Sequence, residues 1–123
     1  MDLSSEIYQT LLLEPGVANM SDEKHYIDEI GTDVIVDCGQ DISTATVHKL
    51  EVRKPDGTTD EWDAEPYTID DEPNYLIYTT ISGDFDQAGL YSIQSYIEMD
   101  GWEGRGQTVT FEVFNNYDLD PEI

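Results

Sequence analysis

Gly83-Asp84-Phe85-Asp86-Gln87-Ala88-Gly89-Leu90-Tyr91-Ser92-Ile93-Gln94-Ser95-Tyr96-Ile97-Glu98 is the stretch whose reading decides the fold. An acidic turn ends at Gly89, and beyond it Tyr91, Ile93 and Ile97 alternate with Ser92, Gln94 and Glu98. A period of two marks a half-buried strand. The spacing Asp86-x-x-Gly89-x-Tyr91 is that of a tyrosine corner, a turn that hands the chain from one sheet to another. Its phenol packs inward while the hydroxyl satisfies nearby backbone. Asp86, Gly89 and Tyr91 are therefore expected to be structural residues.

Working outward, residues 107–114 give the cleanest alternation, with Val109, Phe111 and Val113 on one face and Thr108, Thr110 and Glu112 on the other. Between them, 100–106 reads as a glycine-rich hairpin loop that holds Trp102. Upstream, 75–81 is rich in aromatic and β-branched residues, and 67–69 is a short strand before the acidic turn 70–74. Residues 45–54 place Leu50 and Val52 on one side and Lys49, Glu51 and Arg53 on the other. Pro55-Asp56-Gly57 is a tight turn, because Pro presets φ and Gly accepts positive φ; residues 58–64 return as its partner. Residues 33–38 carry a continuous apolar run, Val34-Ile35-Val36, and 24–30 supplies a first strand broken at Gly31.

About seven short strands with turns at sandwich spacing predict an all-β, immunoglobulin-like antiparallel β-sandwich over residues 24–114. A small closed barrel is the alternative. Ile93 stands where antibody domains carry a cysteine, so apolar packing alone must close the two sheets. Residues 1–23 read as an N-terminal arm, a short helix or extended, with Ser4 or Ser5 as N-cap and Pro15-Gly16 as the stop. A helix so short needs a surface to pack on. Leu11, Leu12 and Leu13 are the residues expected to dock on a neighbouring subunit. Residues 115–123 form an acidic C-terminal tail.

Charge narrows the partners. Twenty-eight acidic residues against five basic ones give a net charge of −23. Binding nucleic acid or anionic lipid requires Lys or Arg against phosphate, so neither is an expected partner. A solvated acidic surface or an acidic face on a basic partner is expected instead. The single cysteine, Cys38, excludes an intrachain disulfide and reads as a small buried hydrophobe. No basic n-region precedes Leu11–Leu13, and no apolar run is long enough to span a bilayer, which predicts a soluble protein that is not exported.

No stretch spells out catalysis. His48 shares a face with Leu50 and Val52 and reads as a satisfied, part-buried side chain; His25 has no partner nearby in sequence. Neither shows a metal-ligand spacing. Asp70-Asp71-Glu72, Asp84 with Asp86, and Asp118 with Asp120 offer oxygen ligands, but none matches an EF-hand loop. No metal and no cofactor is expected, and no enzyme. Trp102 beside Arg105 is the most contact-like feature, since exposed aromatic and Arg residues anchor interfaces. The other reading of Trp102 is that it folds back over its hairpin.

The words Val52-Arg53-Lys54-Pro55-Asp56-Gly57-Thr58, then Glu61-Trp62, Tyr78-Thr79-Thr80, Gly83 to Gly89, and Gly101-Trp102 with Gly104-Arg105-Gly106 resemble small immunoglobulin-like structural proteins of tailed bacteriophages. The arginine-lysine-proline hairpin and the corner are also similar to the N-terminal domain of phage baseplate upper proteins. The resemblance covers about residues 30 to 114 and rests mostly on turn chemistry. It implies a non-enzymatic virion component, made in the host cytoplasm and present in many copies. Its expected role is a capsid decoration protein that binds capsid or tail subunits. The alternatives are a neck, tail or baseplate adaptor, or a host-surface or carbohydrate-binding module that stacks sugars on Trp62 and Trp102.

Overall fold

Each apolar-periodic run between turn residues becomes a strand. The structure, a computed structural model, describes residues 10–13 and 24–116, the former by backbone pairing alone. Ten strands occur among them: β1 (Thr10–Leu13), β2 (His25–Tyr26), β3 (Asp33–Asp37), β4 (Val47–Arg53), β5 (Thr59–Asp63), β6 (Glu65–Ile69), β7 (Glu72–Thr79), β8 (Gly89–Met99), β9 (Trp102–Arg105) and β10 (Val109–Phe114). One sheet has the order β1-β3-β7-β6. The other has the order β2-β10-β8-β4-β5, with β9 also paired to β8. The architecture is a β-sandwich.

The core sits where the inward sides of both sheets meet. Tyr91, Ile93 and Ile97 of β8, Leu50 and Val52 of β4, and Val109, Phe111 and Val113 of β10 pack with Val34, Val36 and Leu76 of the opposite sheet. Aromatic pairs fill its middle: Trp62 stacks on Tyr78 at 4.7 Å and Tyr91 on Phe111 at 5.3 Å. Ile93 is fully buried, so apolar contact does close the sheets at that position. Each such side chain contributes about 1.5–3 kcal/mol on burial.

Three local expectations change and a fourth is narrowed. The first strand shrinks from 24–30 to His25–Tyr26, because Asp28 takes a φ of 70° and the Tyr26 N–H turns to the Glu29 carboxylate at 2.9 Å. The acidic turn before β7 contracts to Asp70-Asp71, both at positive φ (53° and 64°), so β7 begins at Glu72. Positive φ at both central residues is the two-residue hairpin geometry that follows strand twist. The loop reading of 100–106 is replaced by a second tight hairpin: Met99 pairs with Trp102, Asp100-Gly101 is the turn, and Trp102–Arg105 is strand. Finally, of the two forms expected for the arm, Thr10–Leu13 takes the extended one, and it pairs parallel with Asp33–Val36 of its own chain. A lone short helix has little to hold it in water, whereas a strand edge offers main-chain hydrogen bonds. The rest of the arm, Ser4 and Ser5 included, and the tail beyond 116 lie outside the described residues.

Pairing is antiparallel except at two edges, where β1 joins β3 and β2 joins β10 in parallel. The registers also fix the two ends of the sandwich. The β4–β5 hairpin, the corner at 80–88 and the turn at 27–32 share one end. The β3–β4, β6–β7 and β8–β9 connections share the other.

Candidate functional site

The two sequence motifs meet at the first end. Lys54 Nζ donates to the Gly83 carbonyl and to Asp86 Oδ1, each at 2.9 Å, and the Asp56 N–H donates to Gln87 Oε1 at 3.0 Å. Burial is the largest single influence and works against the Lys54 charge, but the Asp86 hydrogen bond and the attraction of Asp86, Tyr91 and Asp60 together outweigh it and raise the ammonium pKa. Gly89 is at φ 131° with Pro55 pressed against it: a Cβ there would lie 2.9 Å from Pro55 Cβ. Tyr91 closes the knot. Its hydroxyl donates to the Gln87 carbonyl at 3.0 Å and accepts from the Gln87 N–H at 3.1 Å. Asp86, Gly89 and Tyr91 all take part in this knot. Asp84 is spent in the same way, accepting from the Tyr78 hydroxyl at 2.6 Å and the Ile81 N–H at 2.8 Å.

Both histidines are held inside the fold. His48 Nδ1 donates to the Ala64 carbonyl at 2.5 Å, as a satisfied side chain should. His25 differs from expectation: the turn at Asp28 brings Glu29 to 3.1 Å from its Nδ1, and that carboxylate also accepts from the Thr32 hydroxyl at 2.6 Å. Cys38 is buried in the core, and desolvation pushes its thiol up to about 11. Among the described residues, no three His, Cys, Asp or Glu side chains gather in a way that could hold a metal ion. No helix among them is long and apolar enough to cross a membrane.

Trp102 and Arg105 lie on β9. Gly104 lets the indole lie against the hairpin, since a Cβ there would come within 2.9 Å of the ring, yet Trp102 remains 39 % exposed. Arg105 is engaged within the sheet. It grips Glu51 with two nitrogens at 2.6 and 3.0 Å and lies over the Tyr96 ring. That guanidinium holds the Glu51 carboxyl below its usual range. Next to this pair, the outer face of the larger sheet forms an open groove of about 800 Å³ lined by Glu51, Arg53, Glu61, Ser92, Gln94 and Thr108. Trp62, expected as an exposed stacking platform, is only 2 % exposed. β5 turns it inward opposite Leu50, and this removes it from any sugar-binding surface.

The far end of the sandwich is not evident from the sequence. There the β3–β4, β6–β7 and β8–β9 connections carry Asp41, Asp70, Asp71 and Asp100, flanked by Asp37, Glu72, Glu98 and Glu103. No Lys or Arg lies in 37–46, 70–72 or 98–103. Lys24, Arg53 and Lys54 belong to the opposite end. At that opposite end Ile30 and Ile81 are 67 % and 61 % exposed, on either side of the hydrogen bond from the Gly31 N–H to Thr80. Each acidic cluster was visible in sequence, but which clusters share an end depends on strand register.

A solved structure of very different sequence shares this fold. The chain is similar to CopC from Methylosinus trichosporium OB3b over 89% of its own length and 99% of that chain, with a TM-score of 0.54 and 18% identity. It also aligns with the N-terminal domain of phage TP901-1 ORF48 over 88% of its length and 97% of that chain, with a TM-score of 0.49 and 10% identity. No family model matches the chain, and no curated protein does. At 18% identity the likeness to CopC establishes the sandwich and nothing of activity.

Proposed function

We propose that this chain is a non-enzymatic structural protein of a bacteriophage virion, a capsid decoration that docks on other virion proteins through its acidic end. The observation that carries the docking reading is the uneven charge. One end of the sandwich presents eight carboxylates (Asp37, Asp41, Asp70, Asp71, Glu72, Glu98, Asp100 and Glu103) with no cation among their turns. Such a surface steers toward and fits a basic patch on a protein partner. The virion setting rests on the resemblance of the turn motifs between residues 30 and 114. The non-enzymatic reading is supported by how the polar interior is used: Asp84, Glu29 and His48 each serve hydrogen bonds that hold turns or strands.

The test is co-sedimentation of the full chain with particles and empty capsids of the phage that encodes it, at rising salt. Binding should weaken as ionic strength goes from about 0.05 to about 0.5 M, where the screening length shrinks severalfold. Asp70→Asn with Asp71→Asn should lower the bound fraction without unfolding the chain, because Asn tolerates positive φ. Binding to isolated tails or baseplates in place of capsids would make the protein an adaptor. Indifference to both salt and substitution would overturn the acidic-end reading.

A further inference from the structure

The sandwich protects its sheet edges unequally. The β6 edge carries Glu65 and Pro66, β5 has Asp60, Glu61 and Asp63, β2 is two residues long, and β9 is four residues long and includes Glu103. Charges, proline and shortness are the usual devices that stop a strand from recruiting another chain. β3 lacks them across its middle. Val34, Ile35 and Val36 are all β-branched, and all three are buried although they alternate between the two faces. A strand covered on both faces reads as a central strand and needs a neighbour on each side. β7 is one neighbour, and β1 is the other.

β1 is held against β3 by strand pairing and not by a tight turn. Its pairing with β3 is parallel, so no hairpin joins the two strands, and the register Thr10↔Asp33 to Leu13↔Val36 can form with any copy of residues 10–13. Ten residues, 14–23, separate it from Lys24, a reach of up to about 35 Å. The four-residue strand itself is only about 13 Å long. Residues 1–13 hold two of the 28 acidic residues, Asp2 and Glu6. This segment can therefore approach a like-charged copy that the rest of the chain would repel.

We propose that the β3 edge is a strand-acceptor site, filled in the assembled protein by residues 10–13 of a second copy in the same parallel register. Exchange of an identical element is a low-cost route to linked copies, since no new contact has to be invented. The inference rests on the multi-copy assembly proposed above, and the experiment separates the two.

Cysteines at Thr10 and Asp33 in a Cys38→Ala background report which copy fills the edge, because paired positions on neighbouring strands fall within disulfide reach. Chains bearing Thr10→Cys alone and Asp33→Cys alone are mixed, oxidised and compared with each chain by itself, free and on particles. A disulfide-linked heterodimer severalfold above either homodimer background is the expected result. The double variant Thr10→Cys with Asp33→Cys should then give a ladder of linked copies. A double variant that closes only within its own chain, free and on particles, overturns strand exchange. If it does so while still sedimenting with particles, exchange fails and the virion role stands. Leu12→Pro supplies a second readout, and it should abolish linked copies without loss of the folded monomer.

Discussion

Replacing Tyr91 with Phe isolates the corner's polar chemistry from its packing. The ring contacts with Phe85 and Phe111 remain, but the hydroxyl that bridges the Gln87 N–H and carbonyl is lost. Each hydrogen bond is worth about 0.5–1.5 kcal/mol net, and a buried group left unpaired costs about 1–3 kcal/mol. Gln87 is only half-buried, so water recovers part of that penalty. A loss of about 2 kcal/mol follows. For a sandwich of this size, that is a fall in Tm of about 8 °C. Urea denaturation should show a lower midpoint at an unchanged slope, since the surface exposed on unfolding is the same. Tyr96→Phe is the control: its hydroxyl meets Glu98 on the wet outer face, and the midpoint should not move. Burial raises the Tyr91 phenol above its usual value of 10.0. The stability it confers is therefore full below that value, and is lost as pH rises through the folded pKa. The gap between wild type and Tyr91→Phe should close in strong alkali. Equal midpoints for wild type and Tyr91→Phe at neutral pH would refute the assignment of the corner to this hydroxyl.

Two further outcomes test the interior. Gly89→Ala adds a Cβ at 2.9 Å from Pro55 on top of backbone strain, whereas Gly57→Ala at φ 91° meets nothing within 4 Å. The former should cost about 2–3 kcal/mol and the latter about 1 kcal/mol in urea, and equal losses would show that the contact is irrelevant. Cys38 should resist iodoacetamide at neutral pH until the protein unfolds. Because its thiol is raised from 9.0 to about 11, its contribution to stability is present below 9.0 and declines as pH approaches 11. Cys38→Ala should flatten stability over that window, and rapid native labelling would contradict the burial.

The turn chemistry of the sequence was enough to give an all-β sandwich. Asp86, Gly89 and Tyr91 could be assigned from spacing because a corner is local: the hydroxyl reaches backbone only four residues away. Val109, Phe111 and Val113 could be assigned because strict alternation admits one inward face. Contacts between distant segments were not legible. Nothing in Pro55-Asp56-Gly57 announces that Pro55 abuts Gly89, nor that Lys54 bridges Gly83 and Asp86. Trp62 looked available until β5 was paired opposite Leu50, and Arg105 until β9 placed it within reach of Glu51.

By itself the sequence determined the strand periods, the tight turns, the excess of negative charge and the apolar closure at Ile93, all of which depend on residues close along the chain or on composition. Only the tertiary structure decided the strand order, the parallel placement of β1 against β3, and the gathering of three separate acidic turns at one end. Those depend on register between strands far apart in sequence, and register is settled by which faces can be buried together.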